Sequence, residues 1–157
     1  MEEKFMKEAL KEALKAYEKK EVPVGAVIVK NGKIIARAHN IKEQKKDTTK
    51  HAEILAISKA SKKLSNWRLT DCEMYVTLEP CSMCAGACIG ARIKKIYIGT
   101  MDLKTGACGS VFNLLEDYTF NHKVELEIGI LQKDCENLLK KFFKELRKEK
   151  KEKPTTL

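Results

Sequence analysis

Two short segments of the chain carry residue types able to do chemistry: His51-Ala52-Glu53 and Pro80-Cys81-Ser82-Met83-Cys84. Cysteines at this spacing put both sulfurs toward one side of a helical first turn, and Zn²⁺ favours thiolate and imidazole ligands in a tetrahedral array. A helix N-terminus adds unpaired amides and the positive end of a dipole, both of which lower a thiol pKa and favour the metal-binding thiolate. Pro80 suits the handover into such a helix and pushes Glu79 before it into extended geometry. A third ligand must come from His39, His51 or His122, and of these His51 has a carboxylate beside it. In mid-helix, residues two apart diverge by about 200°. His51 and Glu53 can therefore serve one metal only if it lies off the helix's N-terminal end, so two helix mouths must face each other. Three protein ligands leave the fourth position to water, which separates a catalytic zinc from a closed structural one. Glu53 is then a proton carrier, able to take a proton from an activated water that attacks an electron-poor carbon. The blander alternative is a closed site with Cys88 or Cys108 as fourth ligand; Cys72, Cys88, Cys108 and Cys135 otherwise read as small buried core residues.

The elements that must position these residues follow from periodicity. Met6, Ala9, Leu10, Ala13, Leu14 and Tyr17 recur at helical steps and predict an amphipathic first helix. Val22 to Val29 is a β-branched run, Asn31-Gly32 is a strong hairpin signal, and Ile34 to Ala38 returns as the paired strand. Asn40 to Lys50 reads as a polar loop, and His51 to Leu64 as a helix. Met74 to Leu78 predicts a buried strand, Cys81 to about Ala91 a small-residue helix, and Ile96 to Ile98 and Val124 to Ile128 two more strands. Asp134 is the expected cap of a last helix whose apolar stripe is Leu138, Leu139, Phe142, Phe143 and Leu146. Strands alternating with helices mean an α/β layered sheet. At least one of Phe142 and Phe143 belongs to the core, Trp67 to the core or a subunit interface, and His39 to a strand end.

Length and composition agree with one such unit. The 157 residues are 43% apolar and 34% charged with 8 Gly and 3 Pro, which excludes collagen-like, low-complexity and wholly disordered classes. No repeat or linker divides the chain, so residues 1–150 are expected to form a single domain with a basic C-terminal helix, and 151–157 a frayed tail. No apolar stretch approaches the ~20 residues that span a bilayer, and no secretory signal is expected. Six cysteines are too sparse for a disulfide framework. A cytoplasmic setting follows as the default. The net charge is +9, and residues 140–153, with eight bases and three acids, supply over half of it. Such a run is either a solvated helix face or a surface for phosphates.

The pattern H-x-E…P-C-x-x-C is a signature of zinc nucleobase deaminases. Over nearly its whole length the chain resembles the bacterial tRNA-specific adenosine deaminase family. The residues that carry the likeness are Glu21-Val22-Pro23-Val24-Gly25-Ala26-Val27, Asn40, His51-Ala52-Glu53, Trp67-Arg68-Leu69 and Tyr75-Val76-Thr77-Leu78-Glu79-Pro80-Cys81 running into Met83-Cys84-Ala85-Gly86-Ala87. Asp102, Lys104-Thr105-Gly106-Ala107, Asn121-His122 and Phe142-Phe143 fit as well. The resemblance implies a three-layer α/β/α cytidine-deaminase-like fold with a central five-stranded mixed sheet. It also implies a homodimer with one Zn²⁺ per subunit, and hydrolysis of adenosine to inosine at the wobble position of a tRNA anticodon stem-loop. Carried onto this chain, it makes His51, Cys81 and Cys84 the zinc ligands and Glu53 the proton shuttle. Asn40 would hydrogen-bond the purine, Val24 and Ala52 would line the base pocket, and Asp102, Lys104, Asn121 and His122 would lie at the surface receiving the flipped anticodon. The chain departs from the family at Asp47-Thr48-Thr49-Lys50, where Asp-Pro-Thr-Ala is common, and at Cys88, where a larger apolar residue is usual. Two rivals remain: a free-base or nucleoside deaminase acting on guanine or cytosine, and a zinc-stabilised RNA-binding module without catalysis.

Overall fold

The computed structural model describes residues 2–152. Helix α1 (Glu2–Glu18) leads into a hairpin of β1 (Gly25–Lys30) and β2 (Lys33–His39). Asn31 and Gly32 both take positive φ, 50° and 73°, the turn whose twist matches the flanking strands. A one-turn helix, α2 (Lys42–Lys45), precedes α3 (Ala52–Leu64), β3 (Cys72–Leu78), α4 (Ser82–Gly90), β4 (Lys95–Thr100), β5 (Glu125–Ile128) and α5 (Gln132–Glu152).

The sheet order is β2-β1-β3-β4-β5. β1 pairs antiparallel with β2 and β3, while β3, β4 and β5 run parallel, so the sheet is five-stranded and mixed. Alternation along each strand assigns its two faces. Ala26, Ile28, Met74, Val76, Ile96 and Ile98 face Ala52, Ala56 and Ala60 of α3 and Ala85, Cys88 and Ile89 of α4. Val27, Val29, Tyr75 and Tyr97 face Phe5, Met6 and Ala9 of α1 and Cys135 of α5. Helices thus cover both faces, giving the expected α/β/α layering. Small residues set the close approach: a Cβ on Gly25 would stand 2.0 Å from the Ala9 carbonyl, so α1 can cross β1 only over a glycine.

Two local expectations need correction. The segment Asn40 to Lys50 is not all loop, because the two carboxylate oxygens of buried Glu21 accept from the Glu43 and Gln44 amides at 2.9 and 2.7 Å and nucleate α2. Asp134 does not cap α5. The helix begins two residues earlier at Gln132, and the carboxylate sits inside the first turn, where its charge still complements the dipole. Trp67 is 56% exposed, which leaves, of its two expected places, the subunit interface and not the core. Phe142 is buried and Phe143 exposed, as the stripe required of at least one. Of the expected tail, residues 151 and 152 continue α5 and 153–157 lie outside the described residues.

Candidate active site

The parallel arrangement of β3 and β4 sends both strands out at one edge of the sheet, and the site is built there. His51 is the N-cap of α3 and Cys81 the N-cap of α4, each extended in backbone and neither spending its side chain on capping. The α3 cap is made instead by Asn40 at the end of β2, whose Oδ1 accepts from the Ala52 amide at 2.8 Å. His51 is thereby free to turn toward α4. Its Nδ1 stands 3.7 Å from Cys81 Sγ and 3.5 Å from Cys84 Sγ. For metal–sulfur and metal–nitrogen bonds of about 2.3 and 2.0 Å at tetrahedral angles, the N···S edge is about 3.5 Å. The three donor atoms, all within 4.8 Å of one another, therefore fit a zinc-sized tetrahedral ion. Cys88 is fully buried against Met74 Sδ at 3.9 Å, and Cys108 lies buried beneath Glu79; neither belongs to this donor group. His39 is tied to Glu12 and Lys19 at 3.1 and 3.2 Å on the α1 side.

Electrostatics separate the groups. The Cys84 thiol donates to Cys81, and this bond, outweighing burial and helped by His51, pulls Cys81 down to about 4. The same bond and burial push Cys84 up. His51 is raised chiefly by its bond to Cys81. Glu53, in the first turn of α3 and 4% exposed, is pushed up to about 7, first by burial and then by the nearby Cys81 charge.

His51, Glu53 and Cys81 line a pocket of about 160 Å³ together with Val22, Val24, Asn40, Leu78, Glu79, Asp102 and Thr105, while Cys84 lies fully buried behind its wall. Pockets for drug-sized ligands run to ~300–1,000 Å³, so this one holds a single flat ring system and leaves the remainder of any larger molecule outside. Asn40 has its oxygen committed to Ala52, which leaves its amide nitrogen to donate. Ala52, expected to line this pocket, is fully buried and is not among its lining residues. Val22, Leu78, Asp102 and Thr105 also line an adjoining groove of about 650 Å³, together with Lys104, Phe143, Arg147 and the ion pair of Lys140 with Glu136.

One residue with no assigned role in the sequence organises this rim. Glu79, 3% exposed at the end of β3, accepts from the Asp102 amide at 2.9 Å, the Cys108 amide at 2.9 Å, the Ser110 amide at 3.0 Å and the Ser110 hydroxyl. A Cβ on Gly106 would stand 2.2 Å from its carboxylate, so the loop can close around Glu79 only with glycine there. Asp102 in turn takes the Lys104 and Thr105 amides and the Thr105 hydroxyl. In the loop that leads into α3, Asp47 accepts from Thr49 N at 2.9 Å and Thr49 Oγ1 at 2.7 Å. That side-chain turn fixes the loop without the proline usual at Thr48. Asn121 and His122 are not brought to the pocket within this subunit. They precede β5 and lie at the opposite edge of the sheet, where His122 Nε2 donates to the Ile93 carbonyl at 2.7 Å.

A three-layer fold whose facing helix mouths bring one imidazole, two thiols and a buried carboxylate together defines a hydrolytic deaminase class. The comparisons agree. A model for MafB19-like deaminases matches residues 1–147. The chain is 52% identical over 150 residues, 96% of this chain and 93% of the relative, to a tRNA-specific adenosine deaminase of Bacillus subtilis. It is 52% identical over 145 residues, 92% of this chain and 95% of the relative, to one of Aquifex aeolicus. Among solved structures, one described in a study of A-to-I editing by tRNA:A34 deaminases superposes with a TM-score of 0.84 at 41% identity, covering 87% of this chain and 99% of that one. This chain belongs to the tRNA-specific adenosine deaminase family.

Proposed function

We propose that this protein hydrolyses adenosine to inosine at the wobble position, residue 34, of a tRNA anticodon, releasing ammonia, with one zinc ion per subunit held by His51, Cys81 and Cys84. The observation that carries the reading is the meeting of His51 Nδ1 with both sulfurs at 3.5 and 3.7 Å beside the buried carboxylate of Glu53. Zinc, when bound, supplies the Lewis acidity that makes water a nucleophile near neutral pH. Glu53 then carries the protons: it takes one from the attacking water and gives it to the ring nitrogen beside carbon six, then takes the proton of the hydroxyl added at carbon six and delivers it to the amino group, so that the carbonyl forms as the carbon–nitrogen bond breaks and ammonia leaves. Asn40 donates its amide N–H to an acceptor on the purine edge, and Val24 packs against the ring. Asp102 and Lys104 line the way in.

The pocket's size supports a substrate whose single flipped base enters while the strand stays outside. The adjoining groove suits that strand, with Lys104, Lys140 and Arg147 for phosphates and the 40%-exposed ring of Phe143 for an unstacked base. A homodimer is supported by the apolar Val111, Phe112, Tyr118 and Phe120 exposed along one connecting segment. Among the described residues no helix is long and apolar enough to cross a membrane, and the cysteines outside the donor group are unpaired. We place the reaction in the cytoplasm, where thiols stay reduced. The test is incubation with unmodified tRNA and, separately, with free adenine, guanine and cytosine, assaying inosine and ammonia. Inosine from tRNA alone is expected; turnover of a free base alone overturns the reading.

A further inference from the structure

The edge of the sheet where β3, β4 and β5 begin carries a second constellation that the reaction does not use. Three loops meet there: residues 67–71 before β3, 92–94 before β4 and 121–124 before β5. They enclose a cavity of about 490 Å³ lined by Arg68, Thr70, Asp71, Arg92, Lys94, His122, Lys123 and Glu125. Four of these are cations against two carboxylates. None of the four forms an ion pair with a carboxylate among the described residues, although Asp71 and Glu125 share the cavity. The exposed indole of Trp67 carries both guanidiniums, with Arg68 at 4.8 Å and Arg92 at 5.7 Å from the ring. Stacking orders these two forks at low entropic cost and leaves N–H edges free. Arg92 is further anchored to the Ile89 carbonyl at 3.0 Å, and the His122 ring is pinned by its bond to Ile93.

Unpaired, pre-oriented guanidiniums around an open cavity fit oxyanions, and forked donors fit phosphate better than a point charge does. We infer that this edge is a phosphate-binding cradle for the backbone of the RNA substrate, engaging it away from the nucleotide that enters the pocket. β3 and β4 separate the cradle from the active-site mouth by their own length, on the order of 20 Å. The cradle therefore adds affinity and leaves the reacting base alone. This rests on the reading of the protein as a tRNA deaminase.

The test uses the full chain loaded with zinc, and the variant R68E/K123E. Affinity for tRNA is measured across a salt series, with kcat and KM for inosine formation and the oligomeric state by light scattering. Affinity is expected to fall about tenfold at 0.1 M salt. The slope of log K against log salt should become less steep by about two, one for each cation removed, and kcat at saturating tRNA should be kept while KM rises. R68K/K123R should restore the slope, and R68Q/K123Q serves if charge reversal impairs folding. Unchanged affinity and slope in a wild-type enzyme that makes inosine overturns the cradle. So does a change of oligomeric state that accounts for the whole loss, since the patch is then a protein interface. If wild type makes no inosine from tRNA but the variant still loses salt-dependent tRNA binding, the cradle stands and the deaminase reading fails.

Discussion

The two ends of the parallel strands β3 and β4 treat charge in opposite ways. At the edge where β3 and β4 end, three carboxylates are buried, and two of them are already satisfied: Glu21 caps α2 and Glu79 takes three backbone amides and a hydroxyl, while Glu53 sits at a helix mouth. At the edge where β3, β4 and β5 begin, cations stand around an open cavity without carboxylate partners among the described residues. Buried, saturated groups cannot reorient when a substrate arrives, which suits a site where atoms must be held for reaction. Open, unpaired groups hold a polyanion without fixing its position to a fraction of an ångström. Chemistry is thereby confined to one end of the strands, while the other end adds affinity alone, beyond what the groove beside the mouth supplies.

The comparison is tested most severely at Glu53. Glu53→Gln keeps the volume and the hydrogen-bonding edge but cannot carry a proton, and turnover should fall by about 10²–10⁴. Metal content by elemental analysis should stay at the wild-type level and tRNA affinity should hold. Loss of zinc in this variant would make Glu53 part of the metal's support and not its proton carrier. Next in size is Glu79→Ala, which strips three amides of their acceptor at the pocket rim. Each unsatisfied buried donor costs about 1–3 kcal/mol, and partial hydration should leave a total near 3 kcal/mol. Thermal unfolding should show a lower Tm, and activity should fall with zinc still bound. A wild-type Tm would mean the rim loop is not held by this carboxylate.

How much of this was legible depends on where each residue's partners lie. His51, Glu53, Cys81 and Cys84 could be read because their spacing allowed one arrangement, two facing helix mouths, and the structure has it. The strands were legible because alternation and β-branching act locally. Asn40's capping of α3 was not, since its partner Ala52 lies twelve residues on, beyond a one-turn helix with no apolar face. That helix was itself hidden, because its cap comes from Glu21, on the far side of a hairpin. Glu79 was quoted as part of a motif but given no task, since its partners are mostly backbone amides and any sequence supplies those. Its one visible signal is a carboxylate closely following the buried run Met74 to Val76. Trp67 is legible only as a residue of the core or of a subunit interface, and the structure takes it out of the core, with two guanidiniums against its ring.

Trp67 gives the smallest effect, and the one that most directly asks whether the cation edge is built differently from the mouth. Its ring is 56% exposed, so Trp67→Ala removes little buried surface and should leave stability within about 0.5 kcal/mol of wild type. What it removes is the platform under Arg68 and Arg92. Cation–π contacts at exposed sites are worth about 0.5–1 kcal/mol. If that much order is lost from the guanidiniums, tRNA affinity should drop about two- to fivefold with the salt slope nearly unchanged, because no charge has gone. This separates the variant from R68E/K123E, in which slope and affinity fall together. A Tm lowered by many degrees with intact tRNA binding would show that the indole holds the fold and that the two edges are alike in kind.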